Sequence, residues 1–405
     1  MAFDRRLAIA AGLCAAGSVV ALAVVPVQAQ RAPGNGPVAR YDMRVGTVSG
    51  FAAMGGGFGG AMSMAFGGGG NKVQHELLLR LGSSQAPGGS PKADHFMPSG
   101  AKLGKSVALV TPTQERGPAD QLPGQREGQK PTGRILIFWG CGEHAPKGQP
   151  VIIDLAKLSA GQVPPGLWSS TVLRDWGPTL QNSKTFGRWP AEDGKMVKAD
   201  SSLLGAHRIA GNYSPEIAFS LNQDFLAPLQ TTSTQNPSGS SLLTWNAVPA
   251  ATGYLAFLFG GKMAQGGQMG DMVMWTSSAS RQFGGGLSDW LTPAQVAGLV
   301  RDRTVMAPTT TSCTIPAEVR SAGADFRMGT LTAFGPEADF SYPVRPTNPK
   351  EAWNLQWTAR VRYRSATSWM DMPGMPGQAE QQQGQKKCKP KGLGGLLGAV
   401  TGAGC

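Results

Sequence analysis

The chain is short of the residues that most catalysis uses. Its 405 residues include four histidines, at positions 75, 95, 144 and 207, and five cysteines. So few imidazoles leave hydrolytic metal chemistry little to draw on. No CxxC pair occurs, which argues against a thioredoxin-like redox centre and against a zinc knuckle. There is no GxSxG elbow to present a nucleophilic serine. SGAKLGKS, residues 99–106, falls short of a phosphate-binding P-loop: Ser99 stands where the leading glycine belongs, and a strand-like VALV follows. HELLL, residues 75–79, has Leu79 in place of the second histidine of a zinc-protease helix. Apolar repeats at helical spacing are nearly absent over any length, which excludes a mainly helical fold.

What is present begins with an address. MAFDRRLAIAAGLCAAGSVVALAVVPVQAQ places Arg5 and Arg6 ahead of an apolar run from Leu7 to Val25, followed by Val27, Gln28 and Ala29. That order is a secretory signal peptide, residues 1–29, with cleavage after Ala29. Pro26 and the cleavage pattern favour removal over anchoring, so no membrane-spanning segment is expected in the exported chain. Periplasm or outer cell surface is the expected location. The signal's two arginines and one aspartate account for one unit of the net charge of +12, leaving +11. An exported basic chain is not expected to meet nucleic acid. Clustered cations point instead to an anionic envelope component, or another envelope protein, as partner; solubility alone is the plainer account. Cys141, Cys313, Cys388 and Cys405 remain after cleavage. In an oxidising compartment they allow two disulfides, with three connectivities open.

Period-two alternation predicts strands. In WNLQWTARVRYR, Leu355, Trp357, Ala359, Val361 and Tyr363 share one face, while Gln356, Thr358, Arg360, Arg362 and Arg364 share the other. QHELLLRLG sets Leu77, Leu79 and Leu81 against Glu76, Leu78 and Arg80, and YDMRVGTV and KSVALVTP read similarly. The Gly/Met/Phe-rich stretch 51–70 is too rich in glycine to hold one backbone conformation. The expected organisation is a β domain over 30–200, a second β domain over 201–369, and a disordered basic tail over 370–405, rich in Gln, Gly and Lys. A helix is expected from Thr292 to Arg301, with Thr292 as N-cap and Pro293 in the first turn.

LTWNAVPAATGY, within residues 242–260, resembles the fibronectin type III pattern through Leu243, Trp245, Val248, Pro249, Ala251 and Tyr254. The resemblance covers about 20 residues of the 405. It implies an immunoglobulin-like sandwich with Trp245 and Tyr254 in its core, and it implies no activity. The inserted helix departs from that pattern. The fold expected is therefore mainly β: two immunoglobulin-like sandwich units with a short inserted helix and disordered Gly-rich and C-terminal segments. As a whole the chain resembles bacterial exported proteins more than any enzyme family.

Three groups of residues carry candidate chemistry. Arg360, Arg362 and Arg364 would stand about 7 Å apart on one strand face, a dock for phosphates or carboxylates. Met62 and Met64, then Met269, Met272 and Met274, then Met370, Met372 and Met375 form short-spaced clusters. Their thioethers suit Cu(I), and in this they resemble the methionine motifs of exported copper-handling proteins; as strand residues they would simply pack. In RILIFWGCGEHAPKGQPVIID, Cys141 and His144 offer a nucleophile and a base, with a disulfide or buried cysteine as the structural alternative. A non-catalytic envelope protein acting by binding or structure, without a cofactor, is the leading expectation. Periplasmic Cu(I) binding and a cysteine-dependent enzyme are the alternatives.

Overall fold

The computed structural model describes residues 36–54, 72–112, 133–163, 173, 177–191, 196–263, 269–284, 286–287, 290–348 and 350–371. The expected signal peptide, most of the 51–70 stretch, Met62, Met64, Met372, Met375, Cys388, Cys405 and the tail beyond Asp371 lie outside them.

The strands, in chain order, are β1 (Ala39–Gly50), β2 (Val73–Ser83), β3 (Ala93–Phe96), β4 (Ser106–Ala108), β5 (Arg134–Trp139), β6 (Val151–Asp154), β7 (Thr185–Trp189), β8 (Met196–Val197) and β9 (Gly205–Gly211). They continue as β10 (Ile217–Leu221), β11 (Thr231–Gln235), β12 (Ser241–Trp245), β13 (Gly253–Met263), β14 (Met269–Thr276), β15 (Ser312–Ile315), β16 (Phe326–Tyr342) and β17 (Trp357–Asp371). Short helices are α1 (Leu155–Ser159), α2 (Pro293–Arg301) and α3 (Ala317–Ser321). The fold is mainly β with a short inserted helix, as alternation predicts. No helix among the described residues is long and apolar enough to cross a membrane.

Ten strands make one sheet, ordered β6-β5-β14-β13-β16-β17-β1-β2-β7, with β8 also on β2. A four-stranded sheet runs β10-β9-β3-β4 and a three-stranded sheet β11-β12-β15. The division expected at residue 200 is not a division of the sheets. β1 pairs in parallel with β17, β5 in parallel with β14, and β3 with β9, so strands from both halves interleave. Parallel neighbours need long connections rather than hairpins, and such pairing leaves no local mark in the sequence.

One apolar core joins the three sheets. Tyr41, Met43, Leu77, Leu79, Leu81, Val361 and Tyr363 from the large sheet meet Ile209, Ile217, Phe219, Leu243, Trp245 and Ile315 from the smaller ones. Trp245 and Tyr254 are both buried, with ring centroids 5.7 Å apart, and the Tyr254 hydroxyl accepts from Val248 N. Two smaller clusters cover parts of the large sheet's other face. One is Ile135, Ile137, Ile153, Leu155 and Met272; the other sets Val296 and Leu299 of α2 on Leu255 and Phe334. The α2 start is as expected: Thr292 Oγ1 accepts from Gln295 N, and the Gln295 side chain returns the bond to Thr292 N, closing a capping box.

Candidate functional site

Between those two clusters and the β7 edge, the outer face of the large sheet is charged. Register assembles it. Asp42 of β1 lies opposite Arg80 of β2 and Arg360 of β17; Arg80 lies opposite Arg188 of β7, and Arg360 opposite Asp339 of β16. One step along, Arg44 faces Arg362, which faces Glu337 across a bulge in β16. A further step brings Glu76 and Arg364 to either side of Gly46. Period-two alternation fixes which residues share this face, and pairing then lays charges side by side, opposite ones around Asp42 and like ones at Arg80–Arg188 and Arg44–Arg362.

Asp42 is the centre and is 1% exposed. Its Oδ2 accepts from Arg80 Nη2 at 2.6 Å and Arg44 Nε at 3.2 Å, and its Oδ1 from Arg362 Nη2 at 2.9 Å and Arg360 Nε at 3.3 Å. Burial opposes ionisation of this carboxyl, but Arg362, Arg80 and Arg44 outweigh it and hold Asp42 down at about 2. Arg364 Nη2 reaches both oxygens of Glu76, at 3.0 and 3.1 Å. The lead-in to α2 roofs the array. Arg362 Nη1 donates to the Trp290 carbonyl, and the Arg364 guanidinium lies 4.1 Å from the centroid of the Trp290 ring. Gly46 makes room for this: a Cβ there would stand 3.1 Å from both Glu76 Oε2 and the indole.

Among the described residues, Arg40, Arg44, Arg80, Arg188, Arg360, Arg362 and Arg364 share the face with Asp42, Glu76, Glu337 and Asp339. Burial and then the Asp339 carboxylate push Glu337 up to about 7, against the pull of Arg360 and Arg362. A proton on Glu337 removes one negative charge from the face. At the rim, burial and then the nearby charge of Arg360 lower the pKa of Arg40. Arg40 Nη2 donates to both the carbonyl and the side chain of Asn182, at 3.0 and 2.9 Å.

The arginine row expected as a dock on an open strand face is therefore built differently. Arg362 is 3% exposed and held from two sides, whereas Arg360 and Arg364 keep 23% and 19% of their side chains in solvent. Sequence reasoning missed Asp42, Glu76 and Arg80 as partners. All three were legible as members of polar strand faces, but their meeting with residues some 300 positions away was not.

A second polar cluster lies in the core, on the opposite face of β1. His207 Nε2 is 2.7 Å from the Leu203 carbonyl, which can only accept, so that nitrogen carries the proton. His207 Nδ1 then accepts from His95 Nε2 at 3.0 Å, and His95 Nδ1 accepts the Tyr41 hydroxyl proton at 2.6 Å. Burial holds the His95 pKa well below the usual imidazole value, with His207 adding to the effect, and burial lowers that of His207 against its carbonyl bond. The chain Tyr41–His95–His207 is neutral and fully paired.

Cys141 and His144 are not brought together as nucleophile and base. Cys141 is bonded to Cys313 of β15, Cα to Cα 5.3 Å, across 172 residues of sequence. His144 Nδ1 pairs with Glu318 Oε1 of α3 at 3.1 Å, and Glu318 Oε2 accepts from Ala145 N. With Gly142 N donating to Thr314 O and Ala317 N to Glu143 O, this loop clamps the end of β5 onto the three-stranded sheet. Closing so long a loop constrains the unfolded chain and contributes about 2–5 kcal/mol.

The methionines divide. Met272 is buried in the cluster with Ile135 and Ile137, Met274 packs at its margin, Met269 opens β14, and Met370 lies near the end of β17. No group of three His, Cys, Asp or Glu among the described residues is placed to hold a metal. Comparison with protein-family models, with curated proteins and with solved structures finds no match to this chain.

Proposed function

We propose that this is an exported, non-catalytic protein of the bacterial envelope that binds anionic envelope material at the rim of the Asp42 arginine array. The observation that carries the reading is the rim itself: Arg40 and Arg360 stand close enough for the charge of Arg360 to lower the pKa of Arg40, and Arg40 donates to the neutral Asn182. Two guanidiniums this close repel each other. A phosphate or carboxylate bridging Arg40 and Arg360 relieves that repulsion through charge-assisted hydrogen bonds. Arg362 and Asp42 then act as the fixed floor that aims the rim. The signal-peptide pattern and the surplus of positive charge support placement where anionic lipids and polymers are met.

Binding of the purified protein to vesicles of neutral lipid with and without phosphatidylglycerol tests this. Expected is binding only to the anionic vesicles, weakened by salt and roughly tenfold weaker in the Arg40→Gln/Arg360→Gln variant, the worth of about one charge-assisted bond. Binding should tighten as pH falls through the Glu337 value of about 7. Salt-independent binding, or full affinity in the double variant, overturns the proposal.

A further inference from the structure

Pairing of the strands gathers methionines that the sequence keeps far apart. On the outer face of the large sheet, Met274 of β14 is directly opposite Phe259 of β13, Phe259 is opposite Met328 of β16, and Met328 is opposite Met370 of β17. Two sequence clusters, near 272 and 370, thus meet in one row, completed by an isolated methionine that no spacing pattern singles out. Unlike Met43, which is buried in the core, Met328 is 37% exposed, and Phe257, one step along the same face, is also 37% exposed. Phe259, Met274 and Met370 are half-buried.

The chemistry of the row is soft throughout. The next row of directly paired residues is Thr276, Phe257, Thr330 and Ser368. It offers hydroxyls and an aromatic ring, with no carboxylate, imidazole or thiolate. Directly opposed residues have Cβ atoms about 4.5–5.5 Å apart. Methionine is unbranched with three rotatable bonds, so two such side chains can turn their sulfurs onto one ion without moving the backbone. Phe259 borders that position on the other side of Met328 and presents a ring that attracts a cation. Neutral thioethers in apolar surroundings select Cu(I), or its analogue Ag(I), over hard divalent ions that demand oxygen or nitrogen.

We infer that Met328 and Met370 form a bis-thioether site for a soft monovalent ion, Cu(I) in nature, with Met274 beyond Phe259 as the flanking sulfur. The site is separate from the arginine array and does not depend on the anion-binding proposal. It differs from the methionine clusters read from the sequence in two ways. Its chelating pair is made by cross-strand register, and Met272, buried under Ile135 and Ile137, is not part of it.

Ag(I) is the first probe, because it needs no reductant and leaves the Cys141–Cys313 bond untouched. Titration of the full chain, followed by the methionine methyl resonances, is expected to show tight binding with the largest shifts at Met328 and Met370. Met328→Leu and Met370→Leu are each expected to weaken Ag(I) binding at least roughly tenfold, since removing one of two soft ligands leaves a single donor. Leucine for methionine nearly conserves volume, and an unchanged urea midpoint confirms that the fold is kept. Met372→Leu/Met375→Leu is expected to bind within about threefold of the parent, less than the loss of one ligand. Competition for Cu(I) against a chromophoric chelator should rank the variants identically. Full affinity in Met328→Leu/Met370→Leu, loss confined to the tail variant, or no Ag(I) binding by the parent overturns the inference.

Discussion

Tyr41 and Asp42 are consecutive residues of β1, 2% and 1% exposed, and they sit in opposite kinds of polar surroundings. Tyr41 points into the core, where each donor in its chain meets one acceptor and no group is charged. Asp42 points to the outer face, where a full negative charge is held by four guanidiniums. Burial is the same for both, so it does not decide ionisation; the partners do. A carboxyl stripped of water stays ionised only when cations replace the water, and an imidazole stripped of water without an acid beside it stays neutral. One strand can carry both because alternation sends neighbours to opposite faces.

The comparison breaks most sharply at Asp42. Asp42→Asn keeps the shape but removes the buried charge that four guanidiniums share, and it should cost about 3–5 kcal/mol of unfolding free energy in urea. A loss under about 1 kcal/mol would mean that the array is solvated, as surface pairs are, and the contrast with Tyr41 would fall.

Acid separates the two networks by pH. His95 and His207 have folded pKa values below that of the unfolded chain, so the unfolded state binds more protons as pH drops below about 6.5. Each of the two histidines should therefore take away about 1.4 kcal/mol of stability per pH unit below that point, partly offset by Glu337, whose value of about 7 in the folded chain lies above its unfolded one. Asp42 contributes the stability it gains from its low pKa at every pH above about 4, and loses it between there and about 2. Urea midpoints measured from pH 8 to pH 3 should show the histidine loss first. Midpoints unchanged down to pH 5 would show that the core histidines already share a proton.

Tyr41→Phe sharpens the neutral side. It removes the donor to His95 Nδ1 and leaves a buried acceptor unpaired, at a cost of about 1–3 kcal/mol. The smallest effect is expected at the roof. Thr292→Ala breaks the capping box at the start of α2 and should cost about 1 kcal/mol. Its informative readout is exposure of Trp290, followed by fluorescence quenching with iodide; quenching unchanged from the parent would detach the cap from the cover of the array.

Residues 355–364 show how far the sequence could be read. Trp357, Ala359, Val361 and Tyr363 are buried together as their alternation predicts, and Arg360, Arg362 and Arg364 do share the other face. What alternation could not convey is that this second face is also covered, because the cover is Trp290 and the counter-charge is Asp42, 320 positions from Arg362. GCGEH was similarly legible as a strand end and loop, while its bond to Cys313 was one of three open connectivities. Helix α2 was readable to the residue because capping is a matter of three neighbouring side chains.

By itself the sequence determined the class of fold, the faces of the long strands and the helix with its cap. Each of these follows from a period or a contact spanning a few residues. The tertiary structure decided that strands from both halves share sheets, that seven arginines gather around Asp42, that Cys141 is bonded rather than reactive, and that Met328 stands beside Met370. Those depend on register between distant strands. Register is set by the sum of packing over whole sheets, and no single stretch of the chain records it.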